Sequence, residues 1–190
     1  MYGACCAAVL AGVALAKWLV IGRYRPFVRP LWSTFIWRLE FVNALYEFLA
    51  TLLALGAIQG TPLLPWYQRL LGAHIGGGVY LHTTGLLEWD LGDRAALNDD
   101  CVLQTHLFED RVLKASSLRI GADCSVGATS VVLYDSMMED GARLDALSLV
   151  MKGETLPAGT AWAGIPASWQ GSLRPEYQNI RSAVAVRGAA

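Results

Sequence analysis

Charge is scarce in this sequence. Asp, Glu, Lys and Arg make up 16% of the 190 residues, against about 25% in an ordinary soluble domain, and the formal net charge of −1 is not gathered into long runs of one sign. A nucleic-acid surface needs clustered Lys and Arg to displace phosphate counterions, so no nucleic-acid partner is expected. Cysteine is sparse too. Cys5 and Cys6 sit together in an apolar run while Cys101 and Cys124 stand apart, which is neither metal nor redox spacing. Free thiols buried in a reducing compartment are expected, and no metal site. Histidine occurs three times, so a side chain that titrates near neutral pH must be one of three.

What the chain has instead is apolar residues, 54% of the total. From Ala4 to Gly22 the only charge is Lys17. Such a run is long enough to cross a bilayer, with Lys17 extended toward the headgroups and Trp18 at interfacial depth. A cleavable signal peptide competes, but no charged segment precedes the run. Arg23, Arg25 and Arg29 follow it, and cations beside a span mark the cytoplasmic side. Residues 1–30 are therefore expected to be a transmembrane helix with a basic cytoplasmic flank. The expected location is the cell membrane, with the remainder of the chain on the cytoplasmic face.

Residues 31–71 read as amphipathic, membrane-associated helices. Ser33 or Thr34 would cap the first, and Gly56 and Gly60-Thr61-Pro62 would end it. Glu40, Asn43, Glu47 and Thr51 recur on one helical face. A carboxylate at mid-bilayer costs about 2.5–3.5 kcal/mol on insertion scales, so a helix lying in the interface is favoured over a second span. Pro65 to Leu71 form a further short amphipathic piece, or a lid on the domain that follows.

That domain, residues 72–167, is organised by a period of six. Ile120, Val126, Val132, Met138, Leu144, Val150, Leu156 and Trp162 recur at that spacing. A small or short residue follows four places later in most turns: Cys124, Ser130, Ser136, Ala142, Ser148 and Thr160, with Glu154 and Pro166 as exceptions. Gly121 and Gly127 add a glycine just after the apolar residue. Repeats of this kind specify stacked units around a continuous core. The pattern resembles the hexapeptide repeat of left-handed parallel β-helices, in which three hexapeptides make one coil. Residues eighteen apart would then stack, Ile120 on Met138 on Leu156 and Val126 on Leu144 on Trp162, with the small residues letting the backbone turn each corner. A weaker run, Ile75, Leu81 and Leu87, then Leu91, Leu97 and Leu103, supplies earlier coils, with a slip of two residues between Leu87 and Leu91.

Between Leu103 and Ile120 the repeat breaks at LQTHLFEDRVLK. His106 to Ser117 are expected to leave the wall as a loop, and loops on a rigid scaffold commonly carry chemistry. His106 is the candidate general base, Glu109 or Asp110 the group that orients its imidazole. The bland readings are a corner histidine and a solvated Glu109-Asp110-Arg111 turn with a weak surface pair. His74 and His82 read as structural or exposed, and Cys101 and Cys124 as wall residues.

The break and the closing segment Ala163-Gly164-Ile165-Pro166-Ala167 resemble the hexapeptide-repeat acyltransferases. That resemblance implies His106 as base at a groove between subunits, and Asn98, Thr105 and Arg111 as substrate contacts. It also implies Trp162, Gly164 and Pro166 beside a pantetheine arm. The loop departs from the sugar acetyltransferases in carrying Glu109-Asp110-Arg111 in place of further histidines. THLFEDR, DALSLVMKGETLPAGTAWAG and the GRYRP…LWS…WR segments are similar to the terminal region of ε-poly-lysine synthetase and related nonribosomal peptide synthetase-like membrane enzymes. This implies amide formation from aminoacyl thioesters on a phosphopantetheine carrier, with carrier and adenylation domains as partners. Acetyl-CoA is the alternative donor, for a stand-alone acetyltransferase acting on a sugar or small acceptor, and a non-catalytic scaffold is the third possibility. Trimers, or pseudo-trimers with sister domains, are implied as well. Residues 168–190 read as a polar, poorly ordered tail.

Overall fold

A computed structural model describes residues 2–84 and 90–173. Helix α1 (Tyr2–Val20) leads into a short strand, β1 (Phe27–Pro30). Helix α2 (Thr34–Leu45) follows, capped by Ser33, whose hydroxyl accepts from the Ile36 N–H. It passes into a π-helical turn at Tyr46–Thr51 and ends before Gly56, as Gly56 and Gly60 predict. Helix α3 (Leu63–Leu71) stops at Gly72, whose φ of +110° places it in the left-handed conformation of a C-cap.

The rest is a three-sided prism of short parallel strands. In chain order these are β2 (His74–Ile75), β3 (Tyr80–Leu81), β4 (Asp90–Leu91), β5 (Ala96–Leu97) and β6 (Val102–Gln104), then β7 (His106–Glu109) and β8 (Val112–Ala115) outside the prism. The wall resumes with β9 (Arg119–Ile120), β10 (Ser125–Val126), β11 (Val131–Leu133), β12 (Met137–Met138), β13 (Arg143–Leu144), β14 (Leu149–Val150), β15 (Thr155–Leu156), β16 (Thr160–Ala163) and β17 (Ser168–Ser172). One wall runs β15-β12-β9-β4-β2, the second β17-β16-β13-β10-β5-β3, the third β14-β11-β6. The expected stacks are present: Ile120 pairs with Met138 and Met138 with Leu156, while Val126 pairs with Leu144 and Leu144 with Trp162. The parallel β-helix read from the repeat is the observed architecture.

Two departures from the eighteen-residue turn are legible in the register. Ile75 pairs with Leu91 and Leu81 with Leu97, sixteen residues apart, so the slip of two shortens the first coil. Leu87, the intervening repeat position, lies outside the described residues. Leu91 pairs with Ile120 and Leu97 with Val126, twenty-nine residues apart, so eleven residues are inserted in the next coil.

At the corners, the residue three places after the repeat aliphatic takes a positive φ: Asp123, Thr129, Asp135, Gly141, Leu147, Gly153 and Gly159. This left-handed residue makes the turn. The small residue at the next position points inward instead; Cys124, Ser130, Ser136, Ala142 and Ser148 are all buried. Smallness is needed there because the corner of a triangular prism has little room, which corrects the expectation that the small residue itself frees the backbone.

The helices cover one end of the prism. Leu64, Tyr67 and Leu71 of α3 share a core with Val79, Leu81 and Leu97, so the lid alternative holds for Pro65–Leu71. Gln68, buried, donates to the Tyr46 hydroxyl at 2.9 Å, and the Trp18 indole donates to the Leu70 carbonyl at 2.9 Å, tying α2 and α1 to the lid. By length and composition α1 can cross a membrane, and most of its surface faces outward. Lys17 does not extend toward solvent: it is fully buried, its ammonium 3.8 Å from the Trp18 ring and 5.1 Å from that of Tyr24, because two aromatic faces give the cation an inward partner. Cys5 and Cys6 are not buried, unlike Cys101 and Cys124. Trp37, Phe41, Phe48, Leu52 and Trp66 of the helical elements are exposed. At the other end, Ser168–Ser172 of the expected tail forms an antiparallel strand on β16, because the last coil otherwise leaves an unpaired edge. Residues 174–190 lie outside the described part.

Candidate active site

The inserted segment is a β-hairpin rather than a loop. β7 and β8 pair antiparallel from His106 opposite Ala115 to Glu109 opposite Val112, leaving Asp110 and Arg111 as a two-residue turn with φ of +50° and +62°. Positive φ at both central residues is the type I′ signature, matched to the twist of the strands. β1 adds a third strand, from Phe27 opposite Ala115 to Pro30 opposite Val112. The segment read as a basic membrane flank thus straps the hairpin.

Strand alternation then decides which side chains meet. Directly paired residues share a face, so His106, Ala115, Phe27, Phe108, Leu113 and Arg29 lie on one face and Leu107, Lys114, Val28, Glu109 and Val112 on the other. Leu113 is fully buried among Tyr24, Ile36 and Leu39, so the histidine face looks toward the helices. The opposite face looks toward the prism: Glu109 accepts from Lys152 at 2.8 and 3.0 Å, from Lys114 at 3.2 Å and from the Tyr134 hydroxyl at 3.4 Å. The structure therefore does not bring Glu109 to the His106 ring. Asp110, at the exposed turn, pairs with Lys114 at 3.2 Å, and is likewise not an orienting group. The single-residue offsets of a strand exclude the triad expected from a loop.

His106 is half-buried, its ring edge-on to Phe108 with centroids 6.2 Å apart. Burial pulls its pKa below the ordinary value, so the imidazole is neutral at neutral pH. Nδ1 is enclosed without a hydrogen-bond partner among the described residues. Thr105 is 3% exposed and its hydroxyl is similarly enclosed without a partner. The enclosed Thr51 hydroxyl is likewise without a partner among the described residues, and such unpaired atoms at Thr105 and His106, consecutive in sequence, are candidates for hydrogen bonding by an external group.

The other expected residues are dispersed. Asn98 donates through Nδ2 to the Val126 carbonyl at 2.7 Å and belongs to the wall. Arg111 sits at the hairpin tip, its carbonyl accepting from the Leu31 N–H at 3.2 Å. Trp162 donates to the Thr160 hydroxyl at 2.8 Å. Gly164, φ +105°, donates its N–H to the Ser148 hydroxyl at 3.0 Å and accepts from the Leu149 N–H, followed by the cis bond to Pro166. This segment continues the wall β6-β11-β14, three ladder steps from the strand that leads into the hairpin, at about 4.8 Å a step. Cys101 is no nucleophile, since burial pushes its thiol up to about 12. Among the described residues no group of three or more His, Cys, Asp or Glu is placed to hold a metal.

The sequence reading missed one titratable pair. His82 Nδ1 lies 2.9 Å from the Asp99 carboxylate. Its signal was the two-residue slip, which stacks residue 83 beside 99 and brings their neighbours together.

Lys152 and Lys114 hold the Glu109 carboxyl below the usual carboxylate range, so this contact stabilises the hairpin above that range and is lost as pH falls through the lowered value. Hydrogen exchange over His106–Ala115 should show protection declining on acidification below about pH 4.3. In Glu109→Gln that acid-dependent part should be absent, and an identical decline would place the titrating group elsewhere.

No protein-family model matches the chain. Over 170 residues, 88% of its length, it is 44% identical to δ-poly-L-ornithine synthetase of Acinetobacter baumannii, of which it spans 12%. Among solved structures it is similar to a maltose O-acetyltransferase from Clostridium difficile (TM-score 0.47, 16% identity, 54% of this chain and 59% of that one). It is also similar to a hexapeptide-repeat acetyltransferase from Vibrio cholerae complexed with acetyl coenzyme A (TM-score 0.47, 19% identity, 53% and 60%). An N-acyltransferase from Bacillus cereus is a third (TM-score 0.46, 13% identity, 62% and 69%). The chain is thus a parallel β-helix similar to hexapeptide-repeat acyltransferases and, in sequence, to one segment of a poly-amino-acid synthetase.

Proposed function

We propose that the chain is an acyltransferase-like part of a nonribosomal peptide synthetase-like membrane enzyme, forming amide bonds from aminoacyl thioesters carried on phosphopantetheine. The observation that carries this reading is the 44% identity to a δ-poly-L-ornithine synthetase across nearly the whole chain. That relative's name states a polymer joined through a side-chain nitrogen, and such a bond needs an acyl donor and an amine.

His106 is the base. An amine acceptor starts as an ammonium, with pKa about 10.4 for a lysine side chain, and must first release one proton to solvent. The free amine then attacks the thioester carbonyl; the C–N bond forms, the C–S bond breaks, the second amine proton passes to the neutral imidazole and from it to the departing thiolate. Wall N–H groups are the oxyanion donors, and the pantetheine arm lies at the corner between the wall that ends at Trp162 and the wall that Gly164 and Pro166 continue. The exposed aromatic layer of α1–α3 and the apolar α1 anchor this assembly in the membrane, the prism on the cytoplasmic side, with carrier and adenylation domains as partners. Sister domains or further copies complete a trimer-like ring.

A mass-spectrometric competition tests the donor. Detergent-solubilised protein is offered equal amounts of a carrier-bound aminoacyl thioester and acetyl-CoA, with an amine and a sugar as acceptors. Amide from the carrier donor is expected. Acetylated sugar would replace this reading with that of a stand-alone acetyltransferase, and absence of both products would leave a scaffold.

A further inference from the structure

From Trp18 to Leu39 the chain carries Arg23, Arg25, Arg29 and Arg38 and no carboxylate; Glu40 is the first that follows. These arginines are exposed, and Arg25, Arg29 and Arg38 enter no ion pair among the described residues. Trp18, Trp32 and Trp37 are exposed in the same stretch, the last two with ring centroids 6.3 Å apart. Packing brings the ends of this stretch to one level. Ile21, just past the end of α1, packs with Ile36 and Leu39 at the start of α2, while near the opposite ends Cys6 Sγ lies 3.4 Å from the Leu53 carbonyl. The two helices therefore run antiparallel, and Trp18 and Arg23 share a depth with Trp37 and Arg38. Indole rings and arginine stems, apolar in body and polar at the tip, suit the headgroup layer of a bilayer. Cations directly after a helix long and apolar enough to cross one are drawn to anionic lipid in particular.

We propose that this corner, the strap together with the adjoining helix ends, binds the phosphate headgroups of anionic phospholipid, and that lipid held there steadies the hairpin that carries His106. The proposal rests on the membrane attachment given above. The link to the hairpin is β1 itself, which pairs with β8 along its whole length and puts Arg29 in one cross-strand row with Leu113 and Phe108. At the far end of the strap the Leu31 N–H donates to the Arg111 carbonyl in the hairpin turn at 3.2 Å, one residue before Trp32. A headgroup that fixes Arg29 and Trp32 thus fixes a strand of the sheet to which His106 belongs. Zwitterionic lipid offers the same apolar depth without the net charge, so the attraction to the arginines is missing.

The test uses neither donor nor acceptor, so its failure would leave the amide synthesis proposed above untouched. Native mass spectrometry of the full chain, released from mixed micelles holding equal phosphatidylglycerol and phosphatidylcholine, reads which lipid stays bound. Wild type should retain phosphatidylglycerol in preference. Arg29→Gln combined with Arg38→Gln should cut that preference by about fivefold for each arginine removed, with the thermal midpoint in detergent unchanged because neither guanidinium is paired among the described residues. In nanodiscs, hydrogen exchange over Phe27–Pro30 and His106–Ala115 should be slower with phosphatidylglycerol present than with phosphatidylcholine alone, a difference that high salt and the double variant both erase. Inorganic phosphate should give no such protection, since it brings no layer for the tryptophans. Equal retention of the two lipids, or a preference that survives in the double variant, would overturn the surface. Retained phosphatidylglycerol with unchanged exchange in the hairpin would overturn its link to His106, and protection given by an added acidic carrier protein but not by the lipid would hand the corner to a protein partner.

Discussion

Replacing His106 by alanine should lower amide synthesis by roughly 10²–10⁴ while leaving the fold in place. The two halves of that expectation have separate origins. The ring touches the edge of Phe108 and its Nδ1 has no hydrogen-bond partner among the described residues, so its removal breaks no side-chain hydrogen bond and relieves a buried polar atom. The pairing of its backbone with Ala115 and the Gln104 donation to its carbonyl at 2.7 Å do not depend on the side chain. What is lost is the neutral imidazole next to Thr105. Steady-state product formation and the thermal midpoint, measured on the same preparation, should therefore part company. Full activity in His106→Ala would show that the base lies elsewhere, and the pair His82–Asp99, with its 2.9 Å contact, would be the next to replace.

Gly127→Ala should destabilise the prism by about 2–3 kcal/mol, the upper part of the range for overpacked cores. A Cβ built at this position would lie 2.3 Å from the Ala146 nitrogen and 2.5 Å from the Asp145 carbonyl carbon. Those are main-chain atoms of the next coil, held by the Gly127 N–H donating to Leu144 at 2.8 Å, so no side chain can swing aside. Gly92 meets the Ala122 nitrogen at 2.4 Å in the same way. The stacking distance of parallel strands leaves no space for a methyl group where the chain leaves the strand. Denaturant unfolding of Gly127→Ala against wild type checks this, and an unchanged midpoint would mean that the coils are not stacked as described.

That glycine illustrates which features the sequence made readable. The aliphatic period of six with its following glycines, and the slip and break in it, were legible directly, and the resemblance to hexapeptide repeats, in which three hexapeptides make one coil, supplied the three walls and the stacks. The hairpin could not be read. Its turn uses Asp110 and Arg111 where Asn-Gly or Asp-Gly is usual, and its strands, HLFE and VLKA, are too short to outweigh the break in the surrounding repeat. β1 is hidden for a related reason, being four residues long and ending at Pro30, which only an edge strand accepts. The error about Glu109 followed from that. In a loop, residues three apart can converge, whereas in a strand they face opposite ways, and the two lysines on the prism side claim the carboxylate. Lys17 was misjudged because Tyr24 lies beyond the end of α1, and nothing in the spacing of residues 17–24 announces that the chain folds back over the ammonium.

The most direct test of the account is a single-turnover experiment with this chain alone in detergent. A carrier protein loaded with an ornithyl thioester is mixed with excess L-ornithine, and intact-mass spectrometry follows the dipeptide and the freed carrier thiol. Amide formation well above spontaneous aminolysis, lost in His106→Ala, is the predicted result. Aminolysis at the rate seen in buffer, from a folded protein that binds the carrier, would contradict the claim that this prism and its histidine form the bond.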